Sequence, residues 1–167
     1  MAGYDYPVDL KCRNYTMTRI NVIPVESLCD QHLLAEYKEL APVVLNVVNG
    51  KRRNLKGAPK QYKLNEGHVL FFRDKLIYLI ERYDQLVAEL ISRGYVVNYP
   101  SLRNQVTSDN RQELAIYLND YQPTQAAVEE NAERIVERLN GMGKITYNRT
   151  PVDPSYMVNV MKQTFQF

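Results

Sequence analysis

The chain has 167 residues, 21 lysines and arginines against 19 acids, a net charge of +2, and 45% hydrophobic residues. That is an ordinary soluble globular composition, large enough for one domain with its own core, and too mildly basic to announce nucleic acid by charge alone. Two cysteines, Cys12 and Cys29, give neither a disulfide framework nor a ligand cluster, and no apolar run approaches the roughly 20 residues of a membrane span.

In chain order, the first predicted helix covers residues 25–40, directly after Pro24. Cys29, Leu33, Tyr37 and Leu40 repeat on one face, and His32, Glu36 and Glu39 repeat on the neighbouring one, so one flank carries polar groups while the other packs. Pro42 is expected to end or kink this helix, with "VVLNVVNG" adding a short turn that stops at Gly50. The stretch "GKRRNLKGAPKQYK" follows, with Lys51, Arg52, Arg53, Lys56, Lys60 and Lys63 and no acid. It reads either as a solvated loop or as a phosphate-binding one.

The longest helix is predicted over 66–93, with Asn65 as N-cap, Gly94 just past its end, and a buried stripe of Val69, Phe72, Leu76, Leu79, Tyr83, Leu86 and Leu90. A polar loop and a short helix, "RQELAIYLN", lead to a helix over 124–140. Thr124 caps it, Gly141 closes it, and Val128, Ala132, Ile135 and Leu139 form its apolar line. The tail, 142–167, mixes aromatic and basic residues without clear periodicity. The expectation is an all-α, compact single domain of three main helices with long loops. A soluble, cytoplasmic protein is expected, without a membrane segment or a metal-ligand pattern.

Pattern alone names no activity. Glu36 and Glu39, three apart on a helix, suit a general acid/base pair, but such pairs are more often solvated charge; His32 is more often structural than catalytic.

The blocks "MTRIN", "DQHLLAEYKEL", "GHVLFFRDKL" and "RGY", in that order and spacing, resemble the pyrimidine-dimer DNA glycosylase family of tailed phages, the endonuclease V type that starts repair of ultraviolet damage. The resemblance is dense from Met17 to Tyr95, thinner through "NDYQPTQAAVEENAERI", and only compositional in the tail. It implies a helical, monomeric glycosylase with AP lyase activity that requires no metal or organic cofactor. Such an enzyme excises cyclobutane pyrimidine dimers from duplex DNA through an imine with the α-amine of a threonine exposed by methionine removal, followed by β-elimination. That threonine is Thr18, and the essential glutamate falls on Glu39. DNA contacts fall on Arg19, on the pair Gln31 and His32, and on Arg134; Lys51, Arg52, Arg53 and Arg138 are added as phosphate contacts.

An α-amine suits this chemistry. With a pKa of 7.7–8.0 it is roughly 20–30% unprotonated near neutral pH, against about 0.1% for lysine. A carboxylate beside the sugar stabilises oxocarbenium charge and shuttles protons.

Three departures stand out. Lys38 replaces the family's arginine before the glutamate, which keeps charge but loses the bidentate fork. Pro42 falls where a second arginine is expected. Residues 1–16 precede Met17, and an internal Thr18 has a planar amide nitrogen that cannot attack. Three explanations are open: translation from Met17, which is preferred and makes 17–167 the glycosylase domain; proteolytic removal of 1–16; or retention. Retention leaves another amine to serve, such as that of Ala2, or gives the alternative reading, a catalytically inactive protein of the same fold that binds damaged DNA.

Overall fold

The periodic apolar residues form helices largely where their spacing places them. In the computed structural model, which describes residues 20–167, these are α1 (Asp30–Val48), α2 (His68–Phe72), α3 (Leu76–Ser92), α4 (Gln125–Asn140) and α5 (Pro154–Phe165). A two-stranded antiparallel hairpin, β1 (Ile145–Tyr147) and β2 (Thr150–Val152), stands between α4 and α5. The architecture is mostly helical, as expected. Thr18, Arg19 and the 1–16 segment lie outside the described residues.

The core forms where α1 packs on α3 and α4 packs on α5. Leu33, Leu40 and Val44 of α1 meet Leu79, Tyr83, Leu86 and Leu90 of α3 in one continuous buried cluster. Burying each such side chain contributes about 1.5–3 kcal/mol.

The structure departs from the predicted elements at several points. Residues 25–27 form a 3-10 turn, so α1 starts only at Asp30, and it runs through Pro42 to Val48. Pro42 removes one intrahelical bond and is exposed, as is Lys38, whose carbonyl would have accepted that bond, so the loss falls on the solvent side of the helix. Buried Val43, Val44 and Val47 beyond it hold the helix on course.

The predicted 66–93 helix is two helices. At Lys75 the backbone leaves helical geometry, with φ −121°. There Asn119 draws it away: its Nδ2 donates to the Asp74 carbonyl at 2.7 Å, and its own carbonyl accepts from Ile77 N–H at 3.2 Å. Asn65 is not an N-cap but a left-handed turn residue at φ 61°, and Gly67 leads into α2. The short predicted helix over "RQELAIYLN" is reduced to a 3-10 turn at Ala115–Tyr117.

The tail is more ordered than its composition suggests. Asn148 and Arg149, both at positive φ, form the two-residue turn of the hairpin. Asp153 caps α5 by accepting from Ser155 N–H at 2.8 Å, and Met157, Met161 and Phe165 are buried.

Candidate active site

The polar flank of α1 is not solvated. His32 and Glu36 are buried and Glu39 is half-buried. Across from them, α4 presents Asn131, Arg134 and Arg138 at i, i+3 and i+7, with Asn131 and Arg138 buried. Between the two rows runs the segment 20–23, which belongs to no helix or strand.

Glu36 is 1% exposed. Its two oxygens accept from Nε and Nη2 of Arg82 at 2.9 and 3.0 Å, a two-pronged ion pair buried on both sides. The same oxygens accept from the backbone and side-chain amides of Asn21 at 2.9 and 2.8 Å. A carboxylate so fully engaged has no lone pair spare for proton transfer, so Glu36 is not half of an acid/base pair. It is an anchor.

Asn131 extends this network. Its Oδ1 accepts from the Val22 and Ile23 amides at 2.8 and 3.3 Å, and its Nδ2 donates to Asn21 Oδ1 at 2.9 Å. His68 closes the row, accepting from Ile20 N–H at Nε2 over 3.3 Å, with its Nδ1 2.9 Å from the Lys63 carbonyl. An amide N–H only donates, so Nε2 is the bare nitrogen and Nδ1 carries the proton.

Glu39 lies one turn beyond Glu36 on the same face, and its charge is felt by Arg138. Burial and the neighbouring Arg134 pull the Arg138 guanidinium down to about 10, against the favourable pull of Glu39, and it stays cationic at neutral pH. Burial, reinforced by Arg138, holds the His32 imidazole at about 4. His32 is therefore neutral at ordinary pH, and its Nδ1 has no hydrogen-bond partner among the described residues. Arg134 is half-buried, its Nε 3.4 Å from Glu137.

The remaining predicted DNA contacts divide. Lys38, Lys51 and Arg52 are exposed, as are Lys56, Lys60 and Lys63. Arg53 is not: its Nε and Nη2 donate to the Val47 and Val48 carbonyls at 2.7 and 2.8 Å, and Nη1 pairs with Glu113. It caps the C-terminal end of α1, where the helix dipole favours a cation. Gln31 is likewise committed, exchanging hydrogen bonds with Thr146 N–H and Oγ1 at 3.0 and 3.3 Å. Both residues hold structure together rather than offering free donors to a phosphate.

The basic loop is pinned between buried Tyr62 and Leu64 on one side and Arg53 on the other, with Tyr117 Oη donating to the Arg53 carbonyl at 2.7 Å. An open cleft of about 470 Å³ behind the segment carries Glu26, Glu81 and Asp120, charges that repel phosphate. Among the described residues no cluster of three metal-ligating side chains occurs, and no helix is long and apolar enough to cross a membrane.

Sequence reasoning missed Asn21, His68, Arg82 and Asn131. The signal was a polar residue inside an apolar register: Asn131 stands four before Ile135, and Arg82 sits beside Tyr83. Residues 17–102 match the model of the family described as pyrimidine dimer DNA glycosylase.

Proposed function

The chain belongs to the pyrimidine dimer DNA glycosylase family, and we propose that it excises cyclobutane pyrimidine dimers through the α-amine of Thr18, with Glu39 beside the reacting sugar. The observation that carries this reading is the half-buried Glu39, whose charge reaches the buried cation Arg138, one helical turn from the Glu36 that holds Asn21, three residues after Thr18. Membership makes the protein a DNA repair glycosylase acting on DNA that contains pyrimidine dimers. The amine, the lyase step and the residue roles are the proposal.

In the reaction, the unprotonated amine attacks C1′ of the 5′ nucleotide of the dimer. The glycosidic bond breaks and its electron pair leaves with the pyrimidine N1. Glu39 stabilises the positive charge that develops on the sugar. The amine then loses its proton and the sugar ring opens, giving a cationic imine. This withdraws electrons, so a C2′ proton departs to a base, for which Glu39 is suited, and the 3′ phosphate leaves. Water hydrolyses the imine and frees the enzyme.

The Arg138 cation attracts the Glu39 carboxylate, and exposed Lys51 and Arg52 contribute sequence-independent attraction to the phosphates. Arg19 and Arg134 complete the proposed contacts, Lys38 stands where a fork is absent, and His32 supplies a neutral edge. Flipping a nucleotide costs a few kcal/mol, least at a damaged step.

The test uses a Glu39→Gln variant and the unaltered protein, each made from Met17 and as the full chain, on a duplex holding one dimer. Unaltered protein with a free Thr18 is expected to nick the duplex and be trapped by borohydride. The variant should bind the lesion with similar affinity while cleavage drops about 10²-fold or more. Cleavage surviving at the original rate removes Glu39 from the chemistry.

A further inference from the structure

Four successive backbone amides, Ile20 to Ile23, each donate to a buried side chain: Ile20 to His68, Asn21 to Glu36, Val22 and Ile23 to Asn131. The acceptors come from three helices, α2, α1 and α4. Two carbonyls are held too, Asn21 by Tyr78 Oη at 3.1 Å and Ile23 by Arg82 Nη1 at 2.5 Å. Each acceptor is itself braced: Glu36 by Arg82, Asn131 by the Asn21 side chain, and His68 by the Lys63 carbonyl. Residues 20–23 are at most 7% exposed. Segments near a chain start ordinarily fray unless tied down, and apolar anchoring by Ile20 and Ile23 alone would leave these amides without partners.

We propose that His68, Glu36 and Asn131 are positioning residues, which fix the backbone at 20–23 so that an amine two residues upstream is delivered beside Glu39. This rests on Thr18 being the amine-bearing residue. Two residues span at most about 7 Å, so locking Ile20 confines the amine to a small volume. Glu39 lies three residues past Glu36, about 4.5 Å further along the α1 axis. A slip of one residue in this clamp would move the amine by about 3.5 Å, more than the difference between contact and no reaction. His68 has a second consequence: one imidazole ties the amine-bearing segment to the backbone of the basic loop. A loop settled on phosphates therefore steadies the nucleophile's anchor.

The experiment measures the single-turnover rate of borohydride trapping on a duplex with one abasic site, which isolates the amine step from base flipping. Duplex affinity and melting temperature are measured on the same samples, in the N-terminal form that is active. His68→Leu keeps the apolar packing and removes both hydrogen bonds. His68→Gln restores an oxygen acceptor near the Nε2 position.

The proposal expects His68→Leu to trap about 10–100-fold more slowly with unchanged affinity, and His68→Gln to recover most of the loss. Asn131→Ala, assayed below its melting transition, must show the same separation of rate from affinity, which keeps the test valid should His68→Leu fail to fold. Variants that trap at the unaltered rate, or whose rate and affinity fall together with the folded fraction, overturn the proposal and leave the Thr18 reading standing. Unaltered protein that forms no adduct overturns the Thr18 reading, and the proposal with it.

Discussion

His32 and His68 are both buried, and burial lowers the pKa of each, but their surroundings differ. His68 has both ring nitrogens in hydrogen bonds, whereas His32 lies against the Arg138 charge with Nδ1 unpartnered among the described residues. Between the ordinary imidazole value of 6.5 and about 4, the unfolded chain takes up a proton that folded His32 refuses. Stability is therefore complete above that window and falls as pH drops through it, by about 3 kcal/mol at the acid end. Burial alone would raise the Asp30 carboxyl, but donors from Thr146, Arg93 and the Arg149 amide hold it below its ordinary value, so its loss comes at lower pH. Urea midpoints measured from about pH 7 to 5 thus isolate the histidines. They should decline with acid in the unaltered protein and decline less in His32→Leu; equal slopes in both would contradict this assignment.

At the level of elements, the end of α3 is the clearest case of local sequence deciding structure. Gly94 stands at φ +81°, its N–H bonds the Ile91 carbonyl, and the next amide, of Tyr95, bonds Leu90. This is the Schellman pattern that "RGY" announces. A Gly94→Ala change puts a Cβ 3.1 Å from Arg149 Nη1, a flexible neighbour, so the penalty is mainly conformational. It should cost about 1 kcal/mol and lower Tm by about 2–4 °C; an unchanged melting curve would show that the left-handed geometry carries no strain. The stripe of α3 and both ends of α4 were equally legible, because caps and 3.6-residue spacing are local. The break before α3 was not, since its cause is Asn119, 45 residues from Asp74. Passage through Pro42 was hidden because packing of later valines decides it. In the tail, a stripe built from Met157, Met161 and Phe165 is masked by basic and aromatic neighbours.

For the whole molecule, the mild net charge conceals an uneven distribution. Exposed cations gather on the loop after α1, while the α1 and α4 polar rows meet over the first described residues. The candidate site was half legible: Glu39 and Arg134 came from the family blocks, Arg138 was added as a phosphate contact, and in the structure the Glu39 charge reaches Arg138. Gln31 turned out to brace the hairpin, through a partner 115 residues away, and Arg53 to cap the end of α1 while pairing with Glu113, 60 residues away. Asn21, Arg82 and Asn131 escaped notice because a buried polar network is defined by three-dimensional pairing, not by spacing. What the network surrounds is residues 20–23, near the start of the family match, so the account stands or falls on which nitrogen forms the imine. Peptide mapping by mass spectrometry of the borohydride-trapped protein–DNA adduct reads this directly. The account predicts that the sugar remnant sits on the α-nitrogen of Thr18; a remnant on a lysine side chain or on Ala2 would contradict it.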